Sequence, residues 1–170
     1  MITAPDAFTA VFDAHYTEIH RYLGRRAGLD VAEDLAAETF LIAFRQRKLF
    51  DASVGEIRPW LYGIATNLLR RHRRAELRHY RALARTGPPP DDDGHDQRVV
   101  DRLTAGVTIA RLAELLSRLS TGERDVVLLV AYAGLSYAEV AHALNVAEGT
   151  VASRLSRART KMREALGVEA

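Results

Sequence analysis

The 170-residue chain contains no cysteine, and this absence excludes several kinds of site at once. A chain without thiols forms no disulfide, has no cysteine nucleophile and holds no zinc through cysteine. It also lacks an apolar run long enough to span a membrane, and its N-terminal residues lack the pattern of a secretory signal. These absences predict a protein of a reducing, cytoplasmic compartment, without membrane insertion.

Recognisable catalytic motifs are also missing. The six histidines are scattered, and the chain has no HExxH helix, no P-loop and no glycine-rich dinucleotide turn. The acidic run Asp91–Asp93 could hold a cation weakly, but it lacks the spacing of a calcium-binding loop. We therefore expect no enzyme activity, no cofactor and no metal site.

Strand-like alternation is absent, whereas apolar residues recur at steps of three and four along most of the chain. Asp30 is a candidate N-cap for the second helix, and Pro59 suits the first turn of the third. Because 48% of the residues are hydrophobic, a core can form. The predicted fold class is all-α.

Three of the five prolines stand together in the stretch TGPPPDDDGHD. Proline triplets cannot lie inside a helix, and this acidic stretch has almost nothing apolar to bury. It predicts a flexible linker over residues 86–98. The chain then divides into two small helical domains, residues 1–85 and 99–170.

The net charge is only +2, but arginine is concentrated in two blocks. Glu76 is the one acid near the first block, which comprises Arg70, Arg71, Arg73, Arg74, Arg78, Arg81 and Arg85. The second block is Arg154, Arg157, Arg159, Lys161 and Arg163. Basic residues at a helix end can simply complement the helix dipole. Seven arginines exceed that need and would repel one another unless phosphates neutralise them, which favours nucleic acid as the partner.

The stretch LSYAEVAHALNVAEGTVASRLSRARTKMREAL has the pattern of a helix-turn-helix. Ser136 and Glu139 form a capping box, and Asn145 tolerates the left-handed backbone of a tight turn. Ala141 is small enough for two helices to touch there, and Val151 and Leu155 give the second helix an apolar edge. An ordinary helical hairpin with a solvated basic face has the same pattern, so the arginine excess decides in favour of DNA.

The third helix carries Trp60 and Asn67 just ahead of the first arginine block. An exposed aromatic ring can stack on an unpaired base, but packing against Ile64 and Leu68 is the more ordinary role for Trp60. Asn67 is harder to explain in a core, since a buried amide needs several partners, and an exposed one can read a base.

Three motifs, AEDLAAETFLIAF, RPWLYGIATNLLRRHRR and the helix-turn-helix stretch, together resemble a bacterial sigma factor of the extracytoplasmic-function group of the sigma-70 family. The resemblance covers nearly the whole chain, with the linker in the right place. It implies a factor that binds core RNA polymerase and directs promoter-specific transcription initiation. It also implies a monomer when free, and many relatives have a cognate anti-sigma factor.

The resemblance assigns contacts to particular positions. It places core-polymerase binding on Asp34, Leu35, Glu38, Thr39 and Phe40, although Ala37 stands where the family usually has glutamine. It matches the loop from Leu49 to Glu56 and the following helix to the part that melts the −10 element. The −10 contacts implied are Asn67, Arg70, Arg71 and Arg74.

For the −35 element the resemblance implies Tyr137, Thr150, Ser153, Arg154, Ser156 and Arg157. Many relatives carry lysine or arginine where this chain has Ala152. The acidic linker would thread the active-site cleft of the polymerase, where it could imitate nucleic acid or serve as a solvated spacer. The rival interpretation is a conventional helix-turn-helix regulator, which would bind DNA without core polymerase and as a dimer on paired half-sites.

Overall fold

The structure, a computed structural model, describes residues 5–86 and 108–167. Within those ranges it contains only helices and turns. The predicted linker 86–98 lies outside the described residues except for Thr86, which ends a helix. The all-α fold class predicted from the sequence is therefore confirmed.

Eight helices make up the described part of the chain. The predicted first domain contains α1 (Pro5–Ala27), α2 (Leu29–Gln46), α3 (Ile57–Arg71) and α4 (Arg73–Thr86). The second domain contains α5, described over residues 108–118, then α6 (Thr121–Ala131), α7 (Tyr137–Leu144) and α8 (Glu148–Leu166).

The junction between α1 and α2 corrects one prediction. The N-cap of α2 is Gly28, at φ 94°, and Asp30 lies inside the first turn instead of capping it. Gly28 donates its N–H to the carbonyl of Gly24 at 2.9 Å, so one residue closes α1 and opens α2. The positive φ favours glycine at this point, and this backbone requirement fixes where the helix starts.

The helix starts of the second domain agree with the sequence. The hydroxyl of Ser120 accepts a hydrogen bond from the N–H of Glu123, and that of Ser136 accepts one from the N–H of Glu139. In each pair the glutamate carboxylate accepts a hydrogen bond from the N–H of the serine. The capping box predicted at Ser136 and Glu139 is thus confirmed, and Ser120 and Glu123 form a second one. Pro59 also lies in the first turn of α3, as expected.

The two domains share one hydrophobic core. Buried side chains of the first domain, such as Leu61 and Leu68, belong to the same cluster as Val140, Leu144 and Val151 of the second. A smaller cluster joins Tyr80 of α4 to α5 and α8. The domains predicted as separate units therefore pack against each other in this structure.

The two domains approach each other tightly where α7 crosses α3. A carbon added at Gly63 would lie 2.5 Å from the carbonyl oxygen of Ala143. Only a residue without a side chain lets the two helix backbones approach this far. Gly63 is therefore a packing residue, although it stands in a helix interior where glycine is unfavourable.

Replacing Gly63 tests this contact. Gly63→Ala should lower the free energy of unfolding by about 1–3 kcal/mol, because the new methyl group overpacks the helix crossing. In a helix without that contact the same change is stabilising, by roughly 1 kcal/mol. Gly149→Ala is the matched control, since a carbon added there has nothing within 4 Å. Urea unfolding of both variants makes the measurement, and equal stabilisation in both would contradict the packing role.

Candidate nucleic-acid interfaces

The helix-turn-helix is formed by α7, a short turn and α8. Asn145 ends α7 at φ 52°, in the left-handed conformation predicted for it. Val146 then donates its N–H to the carbonyl of Ala141 at 3.0 Å, which closes the turn. Val151 and Leu155 of α8 are buried beneath the hairpin. The hairpin geometry is thus the one that the sequence predicted.

The outer face of α8 holds most of the residues assigned to the −35 element. Ser153, Ser156 and Arg157 are exposed, and Thr150 at the start of the helix is half-buried. Tyr137 is exposed at the first turn of α7. Arg154 differs from the rest, because its guanidinium lies half-buried against Gly122 of α6.

Glu123 of α6 connects its own helix to α8. Its carboxylate accepts a hydrogen bond from Lys161 Nζ at 2.8 Å and lies 3.7 Å from Arg157 Nε. Burial opposes the charge of Glu123, but the hydrogen bonds from Lys161 and Ser120 outweigh it and lower the pKa of this carboxyl. A buried acid of α6 is therefore close to two cations of α8, Lys161 and Arg157.

The residues assigned to the −10 element lie at the end of α3 and in α4. All four residues are exposed: Asn67, Arg70, Arg71 and Arg74. Arg70 nevertheless donates to Asp125 Oδ2 of the second domain at 3.0 Å, and more weakly to Asn67 Oδ1 at 3.4 Å. One predicted phosphate ligand is thus already paired with a carboxylate.

Arg70 belongs to a larger group, the interdomain charge network, made of Arg26, Arg70, Glu76, Arg124 and Asp125. Arg26 donates to Glu76 at 2.7 Å and to Asp125 at 2.6 Å, and Arg124 donates to Glu76 at 3.1 Å. Burial opposes the charge of Arg26, but Tyr22, Glu76 and Asp125 together raise its pKa well above the ordinary value. Every buried side-chain nitrogen and oxygen within the described ranges has a hydrogen-bond partner.

The sequence did not identify this network. In the sequence Glu76 stands out only as the acid nearest to the first arginine block, whereas its partners lie 48 and 50 residues away. Arg124 and Asp125 follow a capping box in an apolar helix and have no distinguishing pattern. A buried charge is recognisable only when the elements that surround it are known.

Of the five α2 residues assigned to core-polymerase binding, two are exposed and three are buried. Asp34 and Glu38 are exposed on one face. Leu35, Thr39 and Phe40 are buried: Thr39 donates its hydroxyl to the carbonyl of Leu35, and the Phe40 ring lies under Phe12. Those three can position the surface but do not present their own side chains on it.

Leu41 is an exposed residue of the same surface that the sequence analysis missed. It lies three residues after Glu38 and seven after Asp34, so all three share a helix face. Leu41 is 47% exposed and adds an apolar side chain to this face. Its spacing from the two acids was the available signal.

The loop between α2 and α3 is ordered by its own polar groups. Ser53 donates both its N–H and its hydroxyl to Asp51 Oδ1, and these bonds lower the pKa of Asp51. Leu49 and Val54 remain exposed. Trp60 is half-buried with its ring 5.0 Å from that of Phe50, in agreement with a packing role.

No three His, Asp or Glu side chains are grouped to hold a metal ion in residues 5–86 and 108–167. Over the same ranges, no helix combines the length and hydropathy needed to cross a membrane.

Comparison with known sequences finds similarity to sigma factors along both domains. Residues 11–79 match the family described as Sigma-70 region 2, and residues 109–162 match Sigma-70, region 4. The chain is 31% identical over 147 residues to the ECF RNA polymerase sigma factor SigL of Mycobacterium tuberculosis, which covers 86% of this chain and 81% of that protein. It is 32% identical over 139 residues to the RNA polymerase sigma factor CnrH of Cupriavidus metallidurans, covering 76% and 70% respectively.

Solved structures show the same arrangement of helices. Sigma factor RpoE of Bartonella quintana, in complex with the anti-sigma factor NepR, matches with a TM-score of 0.67 at 22% identity, covering 96% of this chain and 98% of that one. CnrH in complex with the cytosolic domain of CnrY matches with a TM-score of 0.68 at 24% identity, covering 98% and 92%.

The pKa of Glu123 makes the link between α6 and α8 dependent on pH. A lowered carboxyl pKa contributes stability that is complete above the ordinary value of 4.5 and is lost as the pH falls through the lowered pKa. Glu123→Gln keeps an oxygen that accepts the N–H of Ser120 but removes the charge that pairs with Lys161, so it should cost up to about 1 kcal/mol of unfolding free energy at neutral pH. The difference in unfolding free energy between the variant and the wild type should shrink as the pH falls through the lowered pKa of Glu123.

Thermal unfolding followed by circular dichroism between neutral and acid pH measures this difference. Glu114→Gln is the matched control, because Glu114 pairs with Arg118 on the exposed surface of α5. If the difference in stability between Glu123→Gln and the wild type stays constant down to the lowest pH measured, the charge of Glu123 does not cause it.

Proposed function

Because this chain belongs to the extracytoplasmic-function group of RNA polymerase sigma factors and so directs promoter-specific transcription initiation, we propose how its surfaces divide that work. The exposed face of α2 docks on core polymerase. The end of α3, the start of α4 and the loop before α3 bind the −10 element, and the outer face of α8 reads the −35 element. Sigma factors are initiation factors without enzymatic activity, and this chain is proposed to have none.

The observation that carries this division is the geometry of α7 and α8. A hairpin closed by Asn145 presents Ser153, Ser156 and Arg157 together on an exposed helix face, as insertion into a major groove requires. The domain boundaries 1–85 and 99–170 stay a proposal, with the matches at 11–79 and 109–162 in support.

Two further parts of the proposal concern location and partners. A factor that acts on core polymerase works where transcription takes place, which supports a cytoplasmic location. An anti-sigma factor is proposed as a regulatory partner, because RpoE and CnrH, with the same fold, each form a complex with a partner. A cleft of about 880 Å³, lined mainly by apolar side chains of both domains, gives such a partner a surface to bind.

Run-off transcription with core polymerase on genomic promoter fragments tests the function as a whole. We expect transcripts from a defined set of promoters only when both the chain and core are present. Specific promoter binding by the chain alone, as a dimer on paired half-sites, would instead support a conventional regulator.

The α2 surface gives one prediction. Reversing both exposed charges, Asp34→Lys with Glu38→Lys, should abolish binding to core polymerase while the helical circular dichroism spectrum is retained. Glu33→Lys is the matched control, since Glu33 is exposed on α2 next to this face. Fluorescence titration of labelled protein with core measures the affinity. An unchanged affinity in the double variant would remove this face from the docking surface.

The α8 surface gives another. Arg157→Ala should weaken −35-dependent transcription by roughly 1–3 kcal/mol, as expected for the loss of a good base contact. Arg159→Ala removes the same charge from the same helix and should have a smaller effect that does not depend on the base. Transcription from templates with each −35 position varied makes the comparison. If Arg157→Ala keeps the wild-type base preference at every position, Arg157 does not read the sequence.

A further inference from the structure

The first turn of α6 lies against one edge of α8. The basic edge of α8 consists of Arg154, Arg157 and Lys161, which stand at positions i, i+3 and i+7 and so share one side of the helix. A carbon added at Gly122 would lie 3.0 Å from Cζ of Arg154, so this guanidinium rests directly on the backbone of α6. Glu123, the next residue of α6, lies within 3.7 Å of the other two cations. A single turn of α6 therefore contacts all three cations of the edge.

Glu123 is a fixed anion at this contact. Its Oε2 accepts the N–H of Ser120 at 2.9 Å, and the Ser120 hydroxyl accepts the N–H of Glu123 at 3.3 Å. Nζ of Lys161 lies 2.8 Å and 3.0 Å from the two carboxylate oxygens. Only 5% of the Glu123 side chain is exposed. The capping box of α6 thus sets the position of this negative charge relative to α8.

Arg157 lies beside this anion and still reaches solvent. Its Nε is 3.7 Å from Glu123 Oε1, the distance of an ion pair without a hydrogen bond, and 60% of its side chain is exposed. The pair involves Nε, which leaves the two Nη groups of the guanidinium for another partner. Two nitrogens of an arginine fork are what a guanine edge requires.

We propose that Glu123 is a positioning residue for −35 recognition: its carboxylate holds Arg157 in the orientation in which the guanidinium reads a base, and Glu123 so contributes to the choice of base without touching DNA. This inference rests on the proposed role of Arg157 in reading the −35 element. Lys161, the closer of the two cations, holds the carboxylate in place.

A restraint on Arg157 favours base reading over general attraction to DNA. An arginine side chain has many rotamers, and ordering it on binding costs free energy that an existing partner reduces. A guanidinium that samples many orientations also meets phosphates, which are the same for every sequence. A restrained Arg157 therefore discriminates between bases, whereas an unrestrained one adds mainly to non-specific affinity.

The first test measures the restraint itself, in the full chain without DNA. Nitrogen-15 relaxation gives an order parameter for Arg157 Nε, and the spectrum of Arg157→Ala identifies its signal. Glu123→Gln keeps an oxygen for the capping box but removes the charge, so this order parameter should fall. Arg159 is exposed on the same helix, and its Nε should be unaffected. An unchanged order parameter for Arg157 would overturn the positioning role, whatever Arg157 does on DNA.

The second test measures base preference by run-off transcription with core polymerase, from templates that vary each −35 position. Glu123→Gln should lower the preference at the position read by Arg157 by about two- to fivefold, the range expected when one ion pair at the surface is lost. Preferences at the other positions should stay as in the wild type. Because a preference is a ratio between templates, a smaller amount of folded protein does not change it.

Arg157→Ala and its combination with Glu123→Gln complete a double-mutant cycle. Without the Arg157 side chain, Glu123→Gln should have no further effect on base preference, since the side chain that it positions is gone. If Glu123→Gln causes the same loss of preference in both backgrounds, Glu123 acts through the fold of α6 and not through Arg157, and the positioning role is overturned.

Glu139→Gln is the matched control. Glu139 has the same place in the capping box of α7, where its carboxylate accepts the N–H of Ser136 at 2.6 Å. The substitution removes the same charge from an equivalent helix start, and base preference should not change. A loss of preference equal to that of Glu123→Gln would attribute the effect to net charge or to capping and would overturn the positioning role.

The positioning role and the reading role fail in different ways. If Arg157→Ala keeps the wild-type preference at every −35 position, Arg157 does not read the sequence and neither role holds. If Arg157→Ala loses the preference at one position and Glu123→Gln keeps it, Arg157 reads the base and Glu123 does not position it.

Discussion

Arg26 is a fully buried arginine on α1, and the packing of the two domains depends on how its charge is balanced. It donates to Glu76 from α4 and to Asp125 from α6. A buried charge without partners costs several kcal/mol. Glu76 of the same domain gives Arg26 one partner, and Asp125 of the other domain gives it the second. The arrangement that brings these carboxylates together also contains the shared core and the helix crossing at Gly63.

This constraint connects the two predicted DNA-binding regions through α6. Asp125 faces the first domain and holds Arg70, whereas Glu123, two residues earlier, holds Lys161 and lies near Arg157 on α8. One short helix therefore places acids against cations from both arginine blocks. The repulsion within those blocks, which suggested phosphate as the partner, is relieved in part by the chain's own carboxylates.

Local features were predictable because they depend on neighbouring residues. The two capping boxes, the turn at Asn145 and the inward face of α8 each follow from a few residues close in sequence. Asp30 shows the limit of this reasoning, since a backbone constraint at Gly28 decided the helix start. On α2 the pattern identified the right helix but not which side chains reach its surface: Phe40 is covered by Phe12 from another helix.

The sequence by itself determined the helical class, the helix-turn-helix and the family, because periodicity, caps and motif order are properties of short segments. Only the tertiary structure decided how the two domains meet. The charged partners of Glu76 and Asp125 are distant from them in sequence, and no local pattern marks a charge as buried. Whether an arginine faces water, a phosphate or a carboxylate depends on packing between distant helices, and that packing here gives Arg70 a partner within the protein.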